Sequence, residues 1–167
     1  VGTKAVNALS DHFVVESYRD GEMKRAVFKN GEVKEDLKIT PTDEKDGTFI
    51  EFIPDHGIFK KFKFRTPYLE KLFWNYCYLN RGLAIYFNGE KYVSEHGLKD
   101  LLEDNMESDP LYPIIHLEGP DIEVAFTHVR SYGENYYSFV NGQHTTQGGT
   151  HLIEFRASVA LSLIHIC

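Results

Sequence analysis

Two glycine-containing turns constrain how the first third of the chain can fold. Asp20-Gly21 and Asn30-Gly31 are two-residue hairpin signals, because both positions of such a turn need a positive φ, which Gly, Asn and Asp adopt most readily. The segments on either side of these turns alternate, imperfectly, between apolar and polar residues. Strands are predicted at 13–18, 23–29, 32–39 and 48–53. The sequence therefore predicts an antiparallel meander.

The rest of the chain mixes helices with strands. Apolar residues at helical spacing predict helices at 3–10, 66–79, 98–105 and 150–160. The second helix starts at Thr66-Pro67, with Thr66 as the expected N-cap. Its expected buried stripe is Leu69, Leu72, Phe73, Tyr76 and Leu79. Further strands are predicted at 83–87, 91–94, 114–117, 122–128 and 135–141, with a turn at Asn88-Gly89. The predicted class is α+β.

An acidic segment with two prolines, residues 106–113, suits a linker between domains. The pattern restarts as strands after it. The predicted domains are therefore residues 1–105 and residues 106–160.

Charge argues against a stand-alone nucleic-acid-binding domain. The formal net charge is −7, whereas such domains usually present a basic face or a net positive charge. A local basic cluster exists at Lys60, Lys61, Lys63 and Arg65. An edge strand with these residues on one face explains the cluster as well as a nucleic-acid-binding surface does.

Cysteine content and hydropathy indicate the cellular compartment in which the protein is expected. Cys77 lies in an apolar helical pattern and is expected to be a small buried side chain. It and Cys167 cannot build a disulfide framework or a cysteine metal site. Neither a membrane-spanning run nor a signal peptide is visible, so no membrane partner and a cytoplasmic location are expected.

Residues 138–151 contain the most specific sequence motif in the chain. A strand leads into a polar loop, the loop ends at Gly148-Gly149, and a helix opens at Thr150. The segment Phe-Val-Asn-Gly-Gln-His-Thr-Thr-Gln-Gly-Gly-Thr-His resembles the transducer of type IIA DNA topoisomerase ATPase subunits, the topoisomerase IV B and gyrase B family. The opening Val-Gly-Thr-Lys-Ala-Val-Asn-Ala-Leu-Ser resembles the end of that family's ATP lid and the helix that follows. The resemblance runs in order from Val1 to about Ala160.

This resemblance implies the C-terminal part of a GHKL (Bergerat) ATPase domain, followed by the start of a ribosomal-S5-like transducer. It implies ATP and Mg²⁺ as cofactors of the intact protein. Val1, Gly2 and Thr3 match the end of the lid that wraps the triphosphate, and Lys4 matches a phosphate-contacting lysine of some members. Thr48 matches a threonine that helps to hold the adenine. The alternative for Lys4 is a solvated lysine at a helix end, and the alternative for Thr48 is an ordinary strand threonine.

The resemblance assigns no catalytic residue to this chain. The family's general-base glutamate, its Mg²⁺-binding asparagine and its adenine-reading aspartate correspond to positions before Val1, and its transducer lysine to a position after Ala160. His144 and His151 flank the Gly-Gly loop, but they lack the third or fourth ligand that zinc requires. No metal site is therefore predicted.

The predicted function is that of a fragment of an ATP-dependent type II topoisomerase, in which ATP binding and hydrolysis drive dimer-gate closure and duplex passage. The expected partners are a topoisomerase A-type subunit, a second copy of the chain and double-stranded DNA. Two alternatives are a non-catalytic interaction or transducer module and another GHKL-family ATPase. The sequence does not separate topoisomerase IV from gyrase.

Both ends of the sequence are interpreted as cut. Residues 161–167, Leu-Ser-Leu-Ile-His-Ile-Cys, are what a transposon-end adapter used in sequencing libraries would encode. We therefore hypothesise that these residues are a non-native tail. An ordinary helix end is the alternative, since Leu and Ile suit it.

Overall fold

A computed structural model describes residues 2–166, apart from the side chain of Ile166. The chain divides between Phe64 and Arg65 into two compact units, which are described separately. The domain boundary expected at residues 105 and 106 lies within the second unit and stays a prediction. No helix among the described residues is long and apolar enough to cross a membrane.

The first unit is a helix followed by an antiparallel sheet. Its elements are α1 (Gly2–Ala8), β1 (Ser10–Arg19), β2 (Glu22–Lys29), β3 (Glu32–Asp36), β4 (Thr40–Pro41) and β5 (Gly47–Pro54). The sheet order is β3-β2-β1-β5, and β4 pairs with β2. The predicted meander is confirmed for β1, β2 and β3, but β5, the fourth predicted strand, pairs with β1 and not with β3. Strand β3 ends three residues earlier than expected, and α1 ends before Ser10, which opens β1.

The glycine turns have the geometry that their sequence predicts. Asp20 and Gly21 have φ of 53° and 77°, and Asn30 and Gly31 have φ of 51° and 83°. Both residues of each pair are left-handed, as a two-residue turn between twisted strands requires. The turns therefore set the β1–β2 and β2–β3 registers, in which Phe13 faces Phe28.

The core of the first unit lies along its central strands. Phe13 and Val14 of β1 are 2% and 3% exposed, and Val27 of β2 is also buried. The edge strand β5 contrasts with them, because Phe49 and Ile50, whose side chains point to opposite faces, are both about half exposed. Exposed apolar side chains therefore lie at both edges of the sheet, since Val33 of the opposite edge strand β3 is 59% exposed.

The second unit is built from helices and short hairpins. Its elements are α2 (Thr66–Leu79), β6 (Ile85–Phe87), β7 (Glu90–Tyr92), α3 (Leu98–Asn105), β8 (Ile115–Glu118), β9 (Glu123–Phe126), β10 (Phe139–Val140), β11 (Gln143–His144) and α4 (Thr150–Ile166). The strands pair as β6-β7, β8-β9 and β10-β11, all antiparallel. The bounds predicted for α3 are confirmed.

Aromatic rings on α2 and β7 form the core of the second unit. Trp74 stacks on Tyr78 with ring centroids 5.5 Å apart, and it meets Tyr92 edge-on at the same distance. Tyr78, Tyr92 and Leu101 are buried, and Tyr78 donates a hydrogen bond to the carboxylate of Asp104. Burial raises the pKa of Tyr92 to about 12, with a further contribution from its hydrogen bond to Glu90. The phenol therefore stays neutral throughout the physiological range.

Cys77 is fully buried, as predicted, and its burial raises the pKa of the thiol. The buried stripe predicted for α2 is wrong at two positions. Leu72 and Tyr76 are 45% and 39% exposed, because they line an open cavity of about 210 Å³ beside the β10–β11 hairpin.

Three further expectations for the second unit need correction. Thr66 is the first residue of α2 and not its N-cap; that position belongs to Arg65, which makes no side-chain capping bond. The strand predicted at 135–141 shortens to Phe139–Val140. Helix α4 continues through the hypothesised tail to Ile166, which both a native and a non-native tail of helix-forming residues allow.

Asp100 ties the start of α3 to the preceding turn. Its carboxylate accepts hydrogen bonds from the Ser94 hydroxyl at 2.7 Å and from the backbone amides of Glu95 and His96 at 3.1 and 3.0 Å. Burial opposes ionisation of this carboxyl, but the bonds from Ser94 and His96 outweigh it, so the pKa is lowered from 3.8. Asp100 therefore satisfies two backbone amides of the turn that precedes α3.

The acid sensitivity of the second unit should depend on Asp100. Because its pKa is lower in the folded than in the unfolded chain, its stabilisation is present above the unfolded pKa and is lost as pH falls through the folded value. We expect Asp100→Asn to lower stability at neutral pH and to flatten the loss of stability in acid. Denaturant unfolding followed by Trp74 fluorescence at several pH values measures this effect. Asp121→Asn is the control, since Asp121 is exposed and has no side-chain hydrogen bond or ion pair within residues 2–166. An equal effect of the two substitutions would contradict the assignment.

Candidate functional site

The first turn of α1 carries three of the residues that the resemblance assigns to a nucleotide site. Gly2, Thr3 and Lys4 are exposed, and a Cβ added to Gly2 would meet nothing within 4 Å. Val1, the fourth residue of that assignment, lies outside the described residues. Lys4 makes no ion pair within residues 2–166. The turn thus presents backbone amides and an ammonium group to open space.

Hydrogen bonds at its carboxyl end fix α1 on the sheet. Ser10 is 1% exposed, and its hydroxyl donates to the Val6 carbonyl at 2.6 Å. The Asp55 amide donates to the Leu9 carbonyl at 2.9 Å, and the Asn30 amide donates to the Ser10 carbonyl at 2.8 Å. The last turn of the helix is therefore tied both to the end of β5 and to the β2–β3 turn.

The Asp55 carboxylate strengthens this junction. It accepts a hydrogen bond from the Gly57 amide at 2.6 Å and another from the Asn30 side chain at 2.6 Å. These two bonds lower the pKa of the carboxyl from its ordinary value, and the bond from Gly57 has the larger effect. Because β5 and the turn at Asn30 both hold the junction, the direction of α1 is set by the sheet.

Thr48 lies at the other end of β5. It is exposed and faces Ser17 of β1, whereas Pro54 of β5 faces Ser10, beside the end of α1. Thr48 and Pro54 are six positions apart along the strand, or about 20 Å. No hydrogen bond within residues 2–166 joins Thr48 to the first turn of α1. The two candidate positions are thus separate contacts on one unit.

Asn7 was not singled out from the sequence. Its Oδ1 is buried and has no hydrogen-bond partner among the described residues. A buried acceptor without a partner costs about 1–3 kcal/mol. No sequence pattern signalled this group, because its burial arises from tertiary packing.

The Gly148-Gly149 loop is held by a cluster of three polar side chains. Ser138 is 5% exposed, and its Oγ lies 2.5 Å from Nε2 of His151 and 2.7 Å from Oγ1 of Thr145. The Thr145 amide also donates to the Ser138 carbonyl at 2.7 Å. This Ser138–Thr145–His151 cluster joins the residue just before β10 to the first turn of α4.

Both glycines of the loop meet a structural requirement. Gly148 has φ of 76°, and Gly149 has φ of 156°. A Cβ on Gly149 would lie 2.7 Å from Cε1 of the His151 ring. The pair therefore allows the backbone to pass close to a histidine whose ring is already engaged.

The sequence signal missed in this region is Asn141-Gly142. Asn141 and Gly142 have φ of 49° and 77° and close the β10–β11 hairpin, in which Phe139 faces His144. The rule that located the turn at Asn30-Gly31 applies here without change. The two flanking histidines do not meet, since His151 bonds Ser138 while the His144 ring packs on Phe139 with centroids 5.4 Å apart.

Comparison with known proteins places both units in one family. The sequence model of the family described as DNA gyrase B matches residues 85–166. The DNA topoisomerase 4 B subunit of Borreliella burgdorferi is 45% identical over 157 residues, which cover 93% of this chain and 26% of that protein. The DNA gyrase B subunit of Helicobacter pylori is 35% identical over 179 residues, which cover 98% of this chain and 23% of that protein.

Solved structures agree with the sequence comparison. The 43K ATPase domain of Thermus thermophilus gyrase B, in complex with an aminocoumarin, matches 93% of this chain and 46% of that one, with a TM-score of 0.82 and 30% identity. The topoisomerase IV ATP-binding domain of Francisella tularensis, in complex with a small-molecule inhibitor, matches 87% of this chain and 43% of that one, with a TM-score of 0.68 and 30% identity.

The fold is therefore that of the ATPase region of bacterial type II topoisomerase B subunits. The chain belongs to the family of type IIA topoisomerase B subunits, which includes the B subunits of DNA gyrase and of topoisomerase IV. It spans about a quarter of the length of the curated relatives it matches. The relatives do not favour a non-catalytic module or a different GHKL ATPase.

Proposed function

We propose that this chain serves as the part of a type II DNA topoisomerase B subunit that links ATP binding and hydrolysis to closure of a dimer gate and passage of duplex DNA. The observation that carries the proposal is the 45% identity to a topoisomerase 4 B subunit over 93% of the chain. The partners proposed for the whole protein are an A-type subunit, a second B subunit and double-stranded DNA.

The proposed nucleotide contacts lie on the first unit. The amides of Gly2 and Thr3 and the ammonium of Lys4, together with Val1 outside the described residues, hold the triphosphate. Amide N–H groups at a helix start and a nearby cation both stabilise negative charge. Thr48 contributes at the adenine end.

The residues of this site fit phosphate and not a metal cation. Gly2, Thr3 and Lys4 offer amides and an ammonium, whereas Mg²⁺ prefers carboxylate, carbonyl and water oxygens. When bound with ATP, Mg²⁺ neutralises phosphate charge. We propose that residues of the whole protein outside this chain supply both its ligands and the general base.

The second unit includes the proposed coupling segment. Under the proposal, residues 1–105 complete the ATP-binding domain and residues 106–160 begin the transducer. The Ser138–Thr145–His151 cluster then fixes the direction in which α4 leaves the β10–β11 hairpin. A fixed exit angle is what lets a displacement at one end of a helix be transmitted to the other end.

Replacement of the matching segment in a known enzyme tests the proposal. We expect that the Borreliella burgdorferi topoisomerase 4 B subunit, carrying residues 1–160 of this chain in place of its own, will relax supercoiled DNA with its A-type partner when ATP is present. In that chimera, Lys4→Ala should raise the KM for ATP by about tenfold, because one charge-assisted phosphate contact is worth roughly 1.5–3 kcal/mol.

Lys38→Ala in the same chimera is the matched control, since Lys38 is exposed and lies in the connection after β3. Equal effects of the two lysine substitutions would reject the role of Lys4. A chimera that folds and dimerises but shows no ATP-dependent relaxation would reject the proposed function itself.

A further inference from the structure

The segment that connects β5 to α2 concentrates positive charge. Lys60, Lys61 and Lys63 lie within four residues of one another, in a chain whose formal net charge is −7. The structure assigns no strand to residues 60–64, so the expectation that these lysines share one face of an edge strand is wrong. We call Lys60–Phe64 the basic segment.

The charges of the basic segment are unpaired. Within residues 2–166, ion pairs engage Lys24, Lys29, Lys34 and Lys99, but none engages a lysine of the basic segment, and all three are exposed. The two acids that precede the segment most closely in sequence are also occupied. Glu51 lies 3.7 Å from His12, and Asp55 accepts bonds from Asn30 and Gly57. The three ammonium groups thus remain available to an external anion.

Aromatic rings fix the basic segment despite its irregular backbone. Phe64 lies edge-on to Phe52 of β5 at 6.3 Å and to Phe62 at 4.7 Å, and Phe62 lies edge-on to Phe59 at 5.9 Å. Each such contact adds about 0.5–1.5 kcal/mol beyond burial. The series anchors the lysines to the sheet, so less conformational entropy is lost when they bind a partner.

We propose that the basic segment is a contact surface for the phosphate backbone of duplex DNA. Lysine side chains act as point charges towards phosphate and position a duplex without reading its sequence. Three unpaired ammonium groups on an anchored segment match the closely spaced negative charges of a duplex. This surface gives the DNA partner of the proposed function a location on the first unit, and it rests on that function for the choice of DNA over other polyanions.

Charge removal tests the proposal on the 167-residue chain itself. Binding of a short fluorescent duplex is followed by anisotropy over a range of salt concentrations. We expect K60Q/K61Q/K63Q to weaken binding by about tenfold or more at low salt and to reduce the slope of log K against log salt by about 2 to 3, since each lost phosphate contact contributes about 0.9. The variant should fold, because all three side chains are exposed.

The matched control removes the same charge elsewhere. Lys38, Lys45 and Lys91 are also exposed and have no ion pair within residues 2–166, so K38Q/K45Q/K91Q should leave the slope nearly unchanged. Phe64→Ala should weaken binding several-fold at an unchanged slope, because it loosens the segment without removing charge. No binding by the unsubstituted chain, or equal losses in the two triple variants, would overturn the proposal.

Three further outcomes separate this proposal from its alternatives and from the proposed function. Displacement of the duplex by polyglutamate at matched charge would assign the surface to acidic proteins and overturn the choice of DNA. If the chimera shows ATP-dependent relaxation but the basic segment binds no duplex, the docking surface fails while the proposed function stands. If the basic segment binds duplex DNA but the chimera is inactive, the proposed function fails while the docking surface stands.

Discussion

Replacing Phe13 by alanine should lower the free energy of unfolding of the first unit by about 3–5 kcal/mol. Phe13 is 2% exposed on the central strand β1, and its ring meets that of Phe28 edge-on at 6.1 Å. Alanine would leave a cavity between two paired strands, whose registers are already fixed by tight turns. The sheet therefore has little freedom to collapse around the lost volume.

Hydrogen exchange of the β1 and β2 amides measures this effect within the first unit. Phe49→Ala is the matched control, since Phe49 lies on the neighbouring strand β5 and is 47% exposed. Its removal should cost less than half as much as that of Phe13. Equal losses of stability in the two alanine variants would contradict the assignment of the core to β1 over β5.

The contrast between Phe13 and Phe49 illustrates what the sequence could predict. Two-residue turns were located because Asp20-Gly21 and Asn30-Gly31 act through local φ preferences that need no tertiary contact. Which side chains of each strand are buried was less predictable, because the alternation of apolar and polar residues is imperfect and both faces of β5 are apolar. Burial there depends on which strands lie alongside, which the local sequence does not encode.

The second unit shows the same limit from another direction. Leu72 and Tyr76 fit the helical spacing of a buried stripe, yet they line an open cavity, because periodicity identifies one face of a helix without showing what covers it. The basic segment was expected to be strand for a similar reason. Alternating Lys and Phe have the period of a strand, but the contacts of Phe62 and Phe64 hold an irregular backbone.

The candidate site was located from the resemblance of its sequence motifs to a family more than from hydrophobic patterns or turn signals. Gly2, Thr3 and Lys4 would be an ordinary helix start without the resemblance, and Thr48 would be an ordinary strand residue. The structure shows that these residues are exposed, while their nucleotide contacts stay predictions. The Ser138–Thr145–His151 cluster had no sequence signal at all, since its three members come together through the loop that separates them.

Gly149→Ala should destabilise the second unit by about 2–4 kcal/mol. Two costs combine at this position. The backbone φ of 156° is one that side chains rarely adopt, and the new Cβ would lie 2.7 Å from the His151 ring. Relief of that collision requires the ring to move, which breaks its bond to the buried Ser138 hydroxyl and leaves that hydroxyl with Thr145 alone.

A second glycine separates the two costs. Gly133 also has a positive φ, of 92°, but a Cβ there would meet nothing within 4 Å. Gly133→Ala should therefore cost only the left-handed backbone penalty of about 1–2 kcal/mol. Trp74 lies on α2 of the same unit, so its fluorescence during denaturant unfolding follows both variants.

Ser138→Ala completes the comparison, because it removes the hydroxyl that His151 contacts while leaving the backbone unchanged. In a Ser138→Ala background the His151 ring has no bond to lose, so adding Gly149→Ala should cost about 1–2 kcal/mol less than it does in the unsubstituted chain. Strictly additive losses would mean that the two glycines shape the loop by backbone conformation alone. In that case the direction of α4 would not depend on the histidine that follows them.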